Sequence, residues 1–246
     1  VCNLGFVIWD LGFKFLEQKM KIVSYQKTKF IIFLIVFAFF FTAAILRNPI
    51  WKNRLTLWKH VVERSPEKAR GHYNLGNAFT ALNMYEEAIR EYRIAVNIDP
   101  YFFQGNVHGA LGIVYVRKGL LDEAFNEFQA ALKINPHSAR PHYGLGIIYE
   151  QKGNLDEAIR EYKLAAAIEP NYAEPYAALG IVYGKKDMLI EARNALEAAV
   201  NLQPEKAYPH YNLAVTLDRL DDYKNAIQHY REFLENVSRD DKSAQV

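Results

Sequence analysis

Histidine is the residue whose placement in this 246-residue chain first suggests chemistry. Of the seven histidines, His72, His108, His142 and His210 recur at intervals of 36, 34 and 68 residues. Imidazole holds zinc and related ions through bonds of about 2 Å, so a regular histidine row raises the question of a metal site. The regularity itself argues against one. Side chains that recur once per structural unit stand about one helix pair apart, beyond the reach of a single ion. These four are therefore read as packing or hydrogen-bonding residues, and neither a metal nor any cofactor is expected. The sequence has no Gly-x-Ser-x-Gly, no phosphate-binding Gly-Lys loop and no His-Glu-x-x-His. Cys2 is the single cysteine, which excludes a disulfide framework and a cysteine-based zinc site. Asn236-Val237-Ser238 has the form of a glycosylation sequon but falls on a predicted helix. With no catalytic residue to assign, the chain is not expected to be an enzyme.

Charge divides the sequence. Residues 1–66 carry ten Lys/Arg against three Asp/Glu, whereas residues 67–246 carry twenty against twenty-five. Nine of the fifteen Phe lie in the first fifty residues. A basic, apolar head thus precedes an acidic body, and an acidic body lacks the basic face that nucleic acid requires.

The elements that position the body's side chains follow from internal repetition. LGNAF, LGIVY, LGIIY, LGIVY and LAVTL start at Leu75, Leu111, Leu145, Leu179 and Leu213. Twelve residues after each Gly, or Ala in the last, comes an alanine: Ala88, Ala124, Ala158, Ala192 and Ala226. A large apolar residue follows four later, at Tyr92, Phe128, Tyr162, Leu196 and Tyr230. Pro100, Pro136, Pro170 and Pro204 close the first four units. The spacing predicts two antiparallel helices per unit. In the third, a helix over about 139–151 ends at Lys152-Gly153-Asn154, where Gly can take positive φ. Asp156 and Glu157 then suit the first turn of the second helix, and Asp156 is placed to pair with Arg160. Gly146 and Ala158 let the two backbones approach, with Tyr149 and Tyr162 filling the space around the contact. No unit can bury its apolar faces alone, so the units must stack as a solenoid.

These five in-phase units resemble the tetratricopeptide repeat family. The resemblance implies an all-α fold, a right-handed superhelix (α-solenoid) of about five helix-hairpin repeats over residues 67–240. The repeats are placed at about 69–102, 105–138, 139–172, 173–206 and 207–240, with a polar tail at 241–246. Departures are few. The position often held by Trp has His72, His108, His142, Tyr176 and His210, and the fifth unit has Ala214, Leu217 and Ser238 in place of Gly, aromatic and Pro. The two extra residues of the first step fall around 101–105. The last unit has no added capping helix, and its face with Lys224, Asn225, Gln228, Arg231 and Glu232 is read as polar enough to close the stack.

The resemblance also implies a protein- or peptide-binding groove on the first helix of each unit, at the second, fifth, ninth and twelfth positions. Arg70, Tyr73 and Asn77 fall there in unit one, and Asn106 and Ile113 in unit two. Arg140, Tyr143, Ile147 and Glu150 come from unit three, Ile181 from unit four, and Tyr208, Tyr211, Val215 and Asp218 from unit five. Tyr and Arg are favoured anchors. The row Ile113, Ile147, Ile181 and Val215 reads equally as a ridge for a partner and as inter-helix core. Chaperone-tail binding is not expected, because the clamp of that subclass wants Lys where Tyr73 stands and Asn where Ala110 stands.

The head reads as membrane-associated over residues 1–50. Phe30 to Leu46 has no charge and only Thr42 polar, and thirteen of its seventeen residues are Leu, Ile, Phe or Val. At 1.5 Å per residue it makes about 26 Å of helix, the short end of a membrane span. Residues 1–16 read as part of a second span or as a helix in the headgroup layer, and the start at Val1 suggests the C-terminal part of a longer protein. Residues 51–66 read as a linking or capping half-repeat helix with Trp51, Leu55, Trp58 and Val62 in one stripe, an interfacial Trp belt being the alternative. The lipid bilayer is thus an expected partner, through residues 30–46. An integral membrane protein with an extracytoplasmic body is the expected location. The order of span, link and repeats over about 1–80 resembles the junction of polytopic glycosyltransferase-like proteins of the transmembrane O-mannosyltransferase type. The functional expectation is a membrane-anchored scaffold that binds protein or extended peptide. The alternatives are the tail of a membrane glycosyltransferase that recruits acceptor proteins, and a pilus or secretion assembly factor.

Overall fold

The computed structural model describes residues 53–243. Every regular element among them is helical. The chain divides at His60/Val61 into two compact units. In the first, the described residues open helix α1 (Arg54–Arg64). Asn53 Oδ1 accepts the Thr56 backbone N–H at 2.8 Å, an N-cap that satisfies one of the helix's orphan donors. α1 buries none of its residues fully.

The second unit is a stack of five helix hairpins: α2 (Ala69–Ala81) with α3 (Tyr85–Ile98), α4 (Asn106–Arg117) with α5 (Leu121–Ile134), and α6 (Ala139–Gln151) with α7 (Leu155–Ile168). Then follow α8 (Ala173–Lys185) with α9 (Leu189–Leu202), and α10 (Ala207–Arg219) with α11 (Tyr223–Ser243). A short 3-10 turn at Phe102–Gly105 takes up the two extra residues between the first two hairpins. Val62 abuts Gly71 at the start of α2, where an added Cβ would lie 3.3 Å from a Val62 methyl.

Each hairpin turns through one residue with positive φ: Asn83 (57°), Gly119 (76°), Gly153 (78°), Asp187 (62°) and Asp221 (60°). Asn and Asp tolerate this region better than other side chains, and in two of these turns a tyrosine two residues on donates to them, Tyr85 to Asn83 and Tyr223 to Asp221. The core is built on the repeated small residue. A Cβ at Gly76 would lie 2.6 Å from the Tyr92 ring, at Gly112 2.5 Å from Phe128, at Gly146 2.4 Å from Tyr162 and at Gly180 2.3 Å from Leu196. The side chain that fills each notch therefore comes from the facing helix, and Ala88, Ala124, Ala158 and Ala192 beside it are fully buried. Between units, Phe128 also fills the space at Gly144, where a Cβ would lie 2.2 Å from its ring.

Charged pairs cross the joints. Lys118 reaches Glu86, Lys152 reaches Asp122 at 2.8 Å, Lys186 reaches Asp156, and Arg219 reaches Asp187 at 2.6 Å. Lys118 holds the Glu86 carboxyl below its ordinary range. The expected Asp156–Arg160 pair is corrected: Asp156 turns to the next unit, and Arg160 pairs instead with Glu157 at 3.4 Å.

Three further expectations are revised. Among the described residues no helix is long and apolar enough to cross a membrane, so the integral-membrane location is not upheld, and the lipid bilayer has no support as a partner. Residues 1–16 and 30–46, on which both rested, lie outside the described residues. The end of the stack is not uniformly polar, because Tyr223, Ile227, Leu234 and Val237 share one stripe of α11 and stay exposed.

Candidate functional site

The first helices of successive hairpins touch one another: α2 with α4, α4 with α6, and α8 with α10. This puts them on the inner side of the stack. Tyr73 and Asn77 from α2, Asn106 and Ile113 from α4, and Arg140 from α6 line one cavity of about 120 Å³. Three consecutive units thus contribute to a single hollow, together with Gly109 and Ala110.

Its polar groups are held from below. Tyr92 threads under Gly76, and its hydroxyl donates to Asn77 Oδ1 at 2.7 Å, with Thr80 Oγ1 at 3.1 Å. Burial pushes that phenol up to about 12, so the hydroxyl keeps its proton. Tyr73 leans on Tyr92 and meets Phe102 edge-on, with ring centres 6.0 and 6.1 Å apart. Arg140 is exposed and forms no ion pair among the described residues. Tyr92 and Pro141 also line the hollow, though neither falls at a groove position of the repeat. For Tyr92 the signal was present, since a residue filling the Gly76 notch must end near Asn77.

The other expected groove residues lie outside this hollow. Arg70 is exposed at the start of α2. Tyr143 is half-buried against Tyr162 and Tyr172, with ring centres 5.7 and 5.4 Å apart, and burial raises its phenol above the usual range. Glu150 is occupied: Tyr162 donates to one carboxylate oxygen at 2.8 Å and Lys185 to the other at 2.6 Å. Ile147 packs onto the core of units three and four, whereas Ile113 and Ile181 remain exposed and Val215 is half-buried. Tyr208, Tyr211 and Asp218 are exposed in the last unit, where Phe233 lies beside both tyrosine rings. At the fifth position the units read Tyr73, Gly109, Tyr143, Ala177 and Tyr211, so the hollow lies where unit two lacks an aromatic. An added Cβ at Gly109 would meet only Pro141, at 3.9 Å.

The recurring histidines do not meet across units. Each of the first three bonds to a glutamate nineteen residues on, in its own hairpin: His72 to Glu91 at 2.6 Å, and His108 to Glu127 and His142 to Glu161 at 2.7 Å. The ring's other nitrogen faces a proline carbonyl, Pro66 O at 2.8 Å for His72 and Pro136 O at 3.4 Å for His142. In the last hairpin His210 meets His229 and Glu232 instead, an arrangement the sequence reading missed.

Three family models described as tetratricopeptide repeat match residues 69–102, 115–180 and 189–241, more than half of the chain between them. The chain belongs to the tetratricopeptide repeat family. Among solved structures this tetratricopeptide chain is similar to MamA, at 22% identity over 68% of this chain and 97% of that one, with a TM-score of 0.57. It is similar to pilF of Pseudomonas aeruginosa, at 22% identity over 68% of this chain and 76% of that one, with a TM-score of 0.63. A third likeness is to YrrB, described as a TPR protein with an unusual peptide-binding site, at 23% identity over 73% and 91%, with a TM-score of 0.52. At these identities the likeness is one of fold. No curated protein matches the chain. The tetratricopeptide matches begin at residue 69, and the glycosyltransferase-type junction finds no support, nor does the pilus-assembly alternative.

Proposed function

We propose that this tetratricopeptide stack is a scaffold, without chemistry of its own, that takes an extended peptide segment along its first helices. Binding centres on the hollow bounded by Tyr73, Asn77, Asn106, Ile113 and Arg140. One observation carries the reading: at Gly109 a side chain is missing between two tyrosine-bearing units, leaving space that polar, aromatic and cationic groups surround. An apolar or aromatic side chain suits the space, with an acidic group nearby for Arg140, since exposed Arg and Tyr are effective anchors. Tyr143, Tyr208 and Tyr211 extend the same face.

Gly109→Tyr tests this directly. The substitution fills the hollow, while its Cβ makes only an ordinary contact. It also removes a helix-interior glycine, so the fold should not suffer. A peptide selected from a random library on the purified chain is measured by fluorescence polarisation. Gly109→Tyr and Arg140→Ala should each weaken it at least about tenfold with unchanged thermal melts. Affinity unchanged from wild type in both variants, or a library that yields no ligand, overturns the proposal.

A further inference from the structure

The last hairpin breaks the histidine pattern at one position. Where units one to three place Glu91, Glu127 and Glu161 opposite the histidine, unit five places His229, and Glu232 supplies a carboxylate one helical turn further on. The result is three ligand-type atoms at the corners of a small triangle. His210 Nδ1 lies 3.1 Å from His229 Nδ1 and 2.8 Å from Glu232 Oε2, and His229 Nδ1 lies 3.0 Å from the same oxygen.

The hydrogen bonds behind the triangle decide what it presents. His210 Nε2 stands 2.9 Å from the Pro204 carbonyl oxygen, which can only accept, so Nε2 carries a hydrogen. A neutral His210 then directs the Nδ1 lone pair at the other two atoms. Asn236 Nδ2 donates to the same carbonyl at 3.0 Å and is itself buried, which fixes the Pro204 carbonyl. On the far side Gln228 donates to Glu232 Oε1 at 3.0 Å, leaving Oε2 for the histidines. Backbone carbonyl behind one imidazole and amide behind the carboxylate is the outer arrangement that orients metal ligands. An ion bonded at about 2.0–2.2 Å to each corner would sit only about 1 Å out of their plane, with a fourth position open. His210 is buried while the Glu232 side chain is 35% exposed, which gives an ion a way in.

We propose that His210, His229 and Glu232 bind a divalent transition-metal ion, Zn²⁺ by the chemistry of two imidazoles and one carboxylate, and so tie α10 to α11 at the end of the stack. None of its three ligands lines the hollow between the first three units. It also differs from the metal site dismissed from the sequence, since all its ligands come from one hairpin.

The test uses the full chain without a histidine tag, stripped with chelator. Titration calorimetry should show one Zn²⁺ bound per chain, and Co²⁺ should give the visible absorption of a four-coordinate ion. His229→Gln and Glu232→Gln should each weaken Zn²⁺ by more than about tenfold, since loss of an outer partner alone costs that much. His72→Gln should leave binding unchanged. Zn²⁺ should raise the melting temperature of the wild type and of neither ligand variant, by mass action on the folded state. On the unsubstituted chain, Zn²⁺ should shift the ¹⁵N resonances of His210 and His229 and leave those of His72, His108 and His142 in place. Absence of binding, or wild-type binding by the ligand variants, or uniform shifts at all histidines, means that a proton rather than a metal holds the triangle and overturns the proposal.

Discussion

A missing methyl group governs the packing of the first four hairpins. At Gly146 the nearest ring carbons of Tyr162 would stand 2.4 Å from a Cβ, closer than any side chain tolerates, and Tyr162 is fully buried with nowhere to retreat. Gly146→Leu should therefore lower stability by about 1–3 kcal/mol or more through overpacking, although Leu favours the helix intrinsically, as urea unfolding will register. This notch was readable beforehand, because a small residue recurring at one repeat position among large ones can only mark a close approach. The glutamate partners of the histidines were readable in principle, since Glu91, Glu127 and Glu161 recur with their histidines. His229 was harder to see, because it interrupts that recurrence, and its consequence emerges only when Glu232 is placed beside it.

The helices themselves were legible from periodicity, turn glycines and closing prolines. What joins one helix to another was less so. Partners 30 to 32 residues apart, such as Lys152 with Asp122 or Arg219 with Asp187, cross a joint whose register depends on both neighbours. Sequence adjacency instead suggested a pair within one helix for Asp156, which the joint overrode. The His142–Glu161 bond links α6 to α7 within a hairpin, and the Glu161 hydrogen bond raises the His142 pKa despite partial burial. A raised folded-state value favours the protonated ring in the fold. Its contribution is thus fully present below the unfolded value of about 6.5 and is lost as pH rises through the higher folded value. The stability difference between wild type and His142→Gln should accordingly be largest near pH 6 and shrink toward alkaline pH, measured as urea midpoints across the range.

On the scale of the whole stack, each hairpin touches chiefly its neighbours, so damage should spread one joint at a time. Phe128 is the case to try, because it fills the notch of its own hairpin at Gly112 and the space at Gly144 in the next. Phe128→Ala should cost about 3–5 kcal/mol. Hydrogen exchange should show protection lost across α4 to α6 while α10 and α11 keep theirs. The alternation of Tyr73, Gly109, Tyr143, Ala177 and Tyr211 carries a consequence for whatever lies along the inner helices. The backbone has a wavelength of one hairpin, but its lining has a wavelength of two, bulky and bare in turn. A guest strand would meet a scalloped wall and would find the same foothold again only after every second step.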